Sequence, residues 1–463
     1  MAGPDAPRSC DLMVRHGHVL TMGPRRDVFT DGAIAIVDGE IVAVGTDDDV
    51  SEAFTPSRVI DAKGAAVHPG YIDGHVHVSH ASSRGALSDS AGFEEGMLFY
   101  GAWWRELRSS DEYASALGVA TELLRSGTTC MVEAGTALEP DNVAEAIRSV
   151  GIRGLVADPW LWDVPNLAGS EDRRIKPSLK RSLDLVGTEL TRNEGDDLVR
   201  GYVALYGIGT SSDELVLAAK EVARSNGALF AQHQSYAPTD AKRDRDRFGV
   251  DPLEHYQRLG VLDANTMFVH MNVLSDAEAE TVVTTGMGIV ACISSAMSWA
   301  TGGSHIARYD QLHDRQVPIA FGSDSSNSAL RWDTSEQGLL ALLTARERHR
   351  SRDALSPHDV LEVLTIRAAT AIGLDHMIGS LEVGKRADIV IRSEDSVLAS
   401  PRTDVVQNMI LTQRASTVDT VVVDGKVVLE SKAPVRVDES EVAELVDTSA
   451  REMLDRIGMS LRR

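Results

Sequence analysis

The 463-residue chain has only three cysteines, Cys10, Cys130 and Cys292, far apart and without a Cys-x-x-Cys pair. That argues against a thiolate metal site or a disulfide scaffold and fits a reducing, cytoplasmic setting. Nor does any run approach the ~20 apolar residues of a membrane span, and the start, MAGPDAPRSCDLMV, has no apolar signal-peptide core. Cationic residues are few: 46 Lys and Arg against 69 Asp and Glu leave a net charge of −23. Such a surface repels nucleic acid and anionic membrane, so neither is expected as a partner. No Gly-rich phosphate turn follows a candidate strand, which disfavours a doubly wound nucleotide-binding sheet. What is present, 43% hydrophobic and 25% charged residues, describes a globular protein too long for one ordinary core. One large barrel-type unit plus a smaller one is the expectation.

The chain is organised around residues 65–82, AAVHPGYIDGHVHVSHAS. Val67 to Val78 reads as a strand ending in His75-Val76-His77. Residues two apart on a strand project the same way, so the two imidazoles form a pair of potential metal ligands. Asp73 shares their parity and is placed to orient one of them.

Ahead of this stretch, residues 1–65 are β-rich. Leu12 to Met22 alternates, and Gly32 to Gly45 holds two short strands joined at Asp38-Gly39, a strong hairpin signal. The pattern returns at Ala387–Ser393 and Val418–Leu429, with a second turn at Asp424-Gly425. The two ends are expected to pair as a small β-sandwich, residues 1–65 with 376–436. Residues 66–375 between them alternate eight short apolar runs with helical stretches. The runs are Val67–Val78, Thr128–Ala134, Ile152–Asp158, Val199–Tyr206, Ala228–Gln234, Met267–Asn272, Gly288–Ser294 and Pro318–Ser323. Helical patterns cover Ala114–Arg125, Val143–Val150, Asp213–Ser225, Ser275–Thr285 and Glu336–Arg348. The fold class is therefore α/β: a (β/α)8 TIM-type barrel inserted into the sandwich. Residues 437–463 hold an amphipathic helix, with Val442, Leu445, Val446, Met453, Leu454 and Ile457 at helical spacing, expected to dock on the body or a second subunit.

Barrel enzymes carry their chemistry at the C-terminal ends of strands. Those ends hold His75 and His77 on strand one, His233 on strand five, His270 on strand six and Asp324 on strand eight. Singly each is an ordinary core or cap residue. Together, three imidazoles and a carboxylate suit one divalent cation with a position open for water.

The ordered set HPGYIDGHVH (68–77), Ser83-Arg84-Gly85, Gly127-Thr128-Thr129, His233, His270, Gly322-Ser323-Asp324 and IGSLEVGKRADIVI (378–391) resembles the amidohydrolase superfamily. The resemblance covers nearly the whole chain and lies nearest the cytosine-deaminase-like group with the triazine chlorohydrolases and aminohydrolases. It extends to relatives that cleave phenylureas and thiocarbamates. It implies metal on His75, His77, His233 and Asp324, with His270 beside the attacking water or the substrate. Asp324 and His270 are then the catalytic pair, Asp324 moving the proton and His270 steadying the oxyanion. Binuclear relatives carry a carboxylated lysine at the end of strand four; GYVALYGIG has none, so one ion is expected, zinc first, with iron, cobalt or manganese also suited. Deaminating relatives have His-x-x-Glu after strand five, whereas this chain reads His233-Gln234-Ser235-Tyr236. A phenol is a poor proton shuttle at neutral pH, although it donates a hydrogen bond.

The six tryptophans lie in segments leaving strand ends. Trp103, Trp160 and Trp299, with Tyr236, Arg84 and His80, are the candidate substrate contacts; loop packing or a homo-oligomeric interface is the other use of such rings. The leading activity is hydrolysis of a non-peptide C–N bond in a small amide, urea or (thio)carbamate with an aromatic or apolar group. Release of ammonia or halide from a heterocyclic ring is the alternative. A non-catalytic assembly module is a third reading, which retention of all four ligands disfavours.

Overall fold

Gly70 divides the first strand. A Cβ there would lie 1.9 Å from Thr129 Oγ1, so no other residue lets the neighbouring strand approach so closely. The run read as one strand over Val67–Val78 is therefore two, because an apolar stretch does not itself register a change of sheet. Ala66–Pro69 pairs with Arg8–Leu20 and Ile389–Arg392, while Tyr71–Val76 opens the barrel. The computed structural model describes residues 7–459, except 168, 171–172, 196–197, 326–330, 396 and 414.

Eight parallel strands close the barrel: β1 (Tyr71–Val76), β2 (Thr128–Glu133), β3 (Arg153–Ala157), β4 (Val199–Gly207), β5 (Phe230–Gln234), β6 (Thr266–His270), β7 (Gly288–Ala291) and β8 (Ile319–Phe321). Nearly every residue of these strands is buried, as expected for a sheet covered on both faces. Helices relevant to the site are α1 (Phe93–Glu106), α2 (Ser109–Arg125), α3 (Ile293–Ser298), α4 (Thr334–His349) and α5 (Glu439–Arg456). Pro140–Val150, Asp213–Ser225 and Asp276–Thr285 are the other expected barrel helices.

The chain ends meet in one continuous nine-stranded sheet, in which Ala66–Pro69 joins the N-terminal strands to the C-terminal ones. Leu12, Ile34 and Ile36 share an apolar cluster with Ile389, Ile391 and Val422, so the two halves have a common core. Both Asp-Gly turns are left-handed at each central residue (φ 50° and 77° at Asp38-Gly39, 55° and 71° at Asp424-Gly425), as a two-residue hairpin of the I′ type requires. The turns also touch: a Cβ on Gly425 would lie 2.6 Å from Gly39 Cα.

Arg153 fastens the barrel to this sheet. Its buried guanidinium donates to Asp388 (2.7 Å) and Asp424 (2.7 Å). Helix α5 starts from an Asp438 cap and docks on the body through Val442, Met453 and Leu454. Ser449 and Arg456 both bond Asp111 of α2. Leu445 does not follow the expected stripe and stays 39% exposed. Among the described residues no helix is long and apolar enough to cross a membrane.

Candidate active site

Four side chains converge over the C-terminal mouth of the barrel. His77 Nε2 lies 3.3 Å from His75 Nε2, 3.1 Å from His233 Nε2 and 3.3 Å from Asp324 Oδ1; His75 Nε2 is 3.8 Å from the same carboxylate oxygen. All four residues are buried. His233 Nδ1 donates to the Tyr206 carbonyl oxygen at 2.6 Å, and a carbonyl only accepts. Its inward Nε2 is therefore a bare lone pair. His77 Nδ1 lies 2.8 Å from Thr136 Oγ1, a hydroxyl that itself donates towards Glu133 Oε1 at 3.5 Å. Burial chiefly, with the neighbouring imidazoles, holds His75 and His233 well below the ordinary histidine range, so they are neutral. Lone pairs and a carboxylate crowded this closely repel one another unless a cation lies between them. The donor set fits one divalent ion of the zinc type.

Thr136 is itself tied down: its backbone N–H donates to Glu133 Oε1 (2.9 Å), which also accepts from the Ala137 N–H (3.1 Å). Asp73, expected to orient a ligand, touches no imidazole. It accepts from the His75 and Ser323 backbone N–H groups and from the Ser323 and Thr334 hydroxyls, tying β1 to the end of β8. Burial pushes its carboxyl up to about 6 against those hydrogen bonds.

His270 lies alongside, its ring 5.4 Å from that of His233 and 6.0 Å from that of His75. Its Nδ1 is buried with no hydrogen-bond partner among the described residues. His270 (φ 76°) and Asp324 (φ 53°) both adopt left-handed backbone, a strain of about 1–3 kcal/mol each that surrounding bonds must hold. The Tyr309 hydroxyl donates to the His270 carbonyl, and the Asp324 N–H donates to the His75 carbonyl at 2.8 Å.

Above these groups lies a cavity of about 50 Å³, room for a few waters. Of the candidate substrate contacts, His80, Tyr236 and Trp299 line it. Tyr236 packs its ring 4.5 Å from that of His270, with its hydroxyl 3.3 Å from the Ser295 carbonyl oxygen and hydroxyl. His80 sits between Tyr100 and Trp104 with Nε2 3.1 Å from Ser325 Oγ. Trp103 is fully buried away from the cavity, and its neighbour Trp104 takes the lining position. The signal is the spacing Phe93, Met97, Tyr100, Trp104, which sets one face of α1 over the cavity. Trp160 stands one layer back, stacked on Tyr206 at 5.1 Å. Arg84 turns away to bond Glu122 (2.7 Å) and lie over the Trp332 ring. A larger cleft of about 970 Å³ lies beside Arg84, Trp332 and α5, but no strand-end histidine lines it.

The pattern of the Amidohydrolase family matches residues 66–428. The chain is 27% identical over 447 residues to a 5-methylthioadenosine/S-adenosylhomocysteine deaminase of Syntrophobacter fumaroxidans, covering 95% of this chain and 98% of that one. Among solved structures it is similar to a zinc-bound adenosine deaminase of Xanthomonas campestris, with a TM-score of 0.87, 25% identity and coverage of 98% and 99%. It shares its fold with an atrazine chlorohydrolase of Arthrobacter aurescens solved with zinc, with a TM-score of 0.84, 23% identity and coverage of 95% and 100%. With a family match over residues 66–428, most of its length, the chain belongs to the Amidohydrolase family and is a hydrolase acting on carbon–nitrogen bonds.

Proposed function

We propose that this enzyme hydrolyses a non-peptide C–N bond in an uncharged amide, urea or (thio)carbamate bearing an aromatic or apolar group. Tyr236 carries the reading. The position three residues after His233 holds a phenol, and Asp324 is the only carboxyl group among the described residues lining the cavity. Burial pushes the Tyr236 hydroxyl well above the ordinary tyrosine range, so it does not shuttle protons near neutrality. Hydrolysis at a ring carbon calls for protonation of a ring nitrogen; a carbonyl carbon needs only polarisation of its oxygen.

His75, His77, His233 and Asp324 would hold the ion, with zinc the first choice. A divalent ion there supplies Lewis acidity and lowers the pKa of a water from about 15.7 to about 7. Asp324 accepts the proton of the attacking water and returns it to the nitrogen as the C–N bond breaks. His270, neutral because burial holds its pKa down to about 4, hydrogen-bonds the oxyanion. Tyr236 packs against the His270 ring and fixes its orientation. Phe93, Met97 and Trp104 exclude water and offer apolar surface, and among the described residues no Lys or Arg lines the cavity to recognise an anion.

The named deaminase relatives favour a second reading, deamination of a purine-type ring. Zinc-loaded protein assayed against aryl ureas, carbamates, anilides and adenosine-type nucleosides separates the two. Release of aniline or alkylamine supports the carbonyl reading; release of ammonia from the nucleosides alone overturns it.

A further inference from the structure

The roof of the cavity rests on one missing side chain. Helix α1 crosses the barrel mouth with Phe93 and Met97 on the cavity side, and Gly96 lies between them. The Trp299 indole, which follows α3, settles into the gap. A Cβ on Gly96 would lie 2.4 Å from its Cη2, 3.0 Å from Cζ3 and 3.3 Å from Cζ2. The same indole meets Phe93 edge-on at 5.7 Å, and Phe93 approaches Tyr236 at 5.8 Å. Phe93, Trp299 and Tyr236 thus span the cavity from α1 towards His270. Phe93 is 45% exposed, which places solvent on the outer side of this row of rings. These rings form part of the wall that an entering apolar group meets.

We propose that Gly96 is a specificity-determining position: by leaving room for the Trp299 indole against α1, it sets how bulky a substrate the cavity accepts. A methyl group at 96 would force the indole off the helix by about 1 Å, since ordinary contact begins near 3.4 Å. The tip of a tryptophan can make that movement, and Trp299 shares the cavity lining with Met97 and Tyr236. Neither Gly96 nor Trp299 touches the four candidate ligands, so proton transfer is untouched and the change falls on the fit of the substrate. The proposal rests on the cavity being the substrate chamber, as in the reading above.

The test compares Gly96→Ala, Trp299→Phe and the double variant with the native enzyme, all zinc-loaded, on N-substituted ureas from N-methyl to N-aryl. Should the enzyme prove to deaminate rings, the same ladder is run with N-alkylated heterocycles, so failure of the substrate reading stays separate from failure of this one. Gly96→Ala should lower kcat/KM about tenfold for the bulky members, mostly through KM, and less than twofold for the smallest. Trp299→Phe should relax the discrimination, and the double variant should restore the native ratio of bulky to small substrates. Equal losses across the series, or a double variant no better than Gly96→Ala, would show a purely structural glycine. If Gly96→Ala fails to fold, Trp299→Phe alone decides: an unchanged bulky-to-small ratio overturns the proposal.

Discussion

Thr136 Oγ1 stands 2.8 Å from Nδ1 of His77, on the far side of the ring from His75, His233 and Asp324. The hydroxyl faces Glu133 Oε1, which only accepts, at 3.5 Å, so it is left to accept from Nδ1 and to set how the ring is turned. Thr136→Val keeps the shape and removes the acceptor. Metal affinity should fall about 10- to 100-fold, while the protein refills at high metal concentration and regains most of its kcat. Competition with a chelator of known affinity measures it, and unchanged affinity would show the bond to be dispensable.

The four-ligand cluster should hold one divalent ion per chain. Elemental analysis of purified protein should give close to one equivalent, and dialysis against a chelator should abolish activity and lower Tm. An ion that binds only the folded state stabilises it by RT ln(1 + [L]/Kd), about 4 kcal/mol at a thousandfold excess over Kd. His233→Ala should abolish both the equivalent and the activity. Two equivalents per chain, or full activity with none, would contradict the assignment.

Tyr236→Phe should cost about tenfold in kcat/KM, about 1.4 kcal/mol, whereas His270→Ala and Asp324→Ala should each cost at least ~100-fold. Burial pushes the phenol well above its ordinary value, with the negative charge of Asp324 adding to the effect. The hydroxyl therefore stays protonated up to and beyond pH 10, and its ionisation should place no basic limb on the profile. The ratio of native to Tyr236→Phe activity should stay constant from pH 6 to pH 10. A ratio that collapses across that range, or a variant as inactive as Asp324→Ala, would make the phenol a proton donor.

Asp388→Ala should leave the buried Arg153 guanidinium with one carboxylate, Asp424, in place of two. Breaking a buried pair from one side costs about 3–5 kcal/mol, seen as a lowered Tm. Arg153→Met combined with Asp388→Leu should recover much of it, because no unpaired charge remains. Equal Tm values for the single and double variants would mean that the packing, rather than the charge, is at fault.

The barrel and the meeting of the chain ends are legible because each is written in local pattern: short apolar runs between helices, and Asp-Gly turns between alternating residues. The convergence of His75, His77, His233, His270 and Asp324 follows from one geometric fact, that strand ends share a rim. What a strand-end rule does not carry is orientation. Trp103 and Trp104 are one residue apart, yet about 100° of helix turn puts only the second over the cavity. Arg84 looks like a substrate contact until Glu122 on α2 supplies its carboxylate partner. Thr136 carries no pattern at all, because a loop residue bonding across the fold has no periodicity to show it, and Tyr309 opens a helix of only six residues, too short for a helical stripe to be read.

The site also has an order in time. Asp73 and Ser323 are 250 residues apart, and the seam where β8 meets β1 consists of little more than the Phe321–Asp73 pairing, the grip of Asp73 on Ser323 and the exchange of backbone bonds between His75, His77 and Asp324. His75 and His77 are synthesised on a strand whose eighth neighbour does not yet exist. Asp324 arrives just after the strand that closes the ring. An ion held by the proposed set would therefore wait until about 250 further residues had been synthesised, and would then tie β1 to β8.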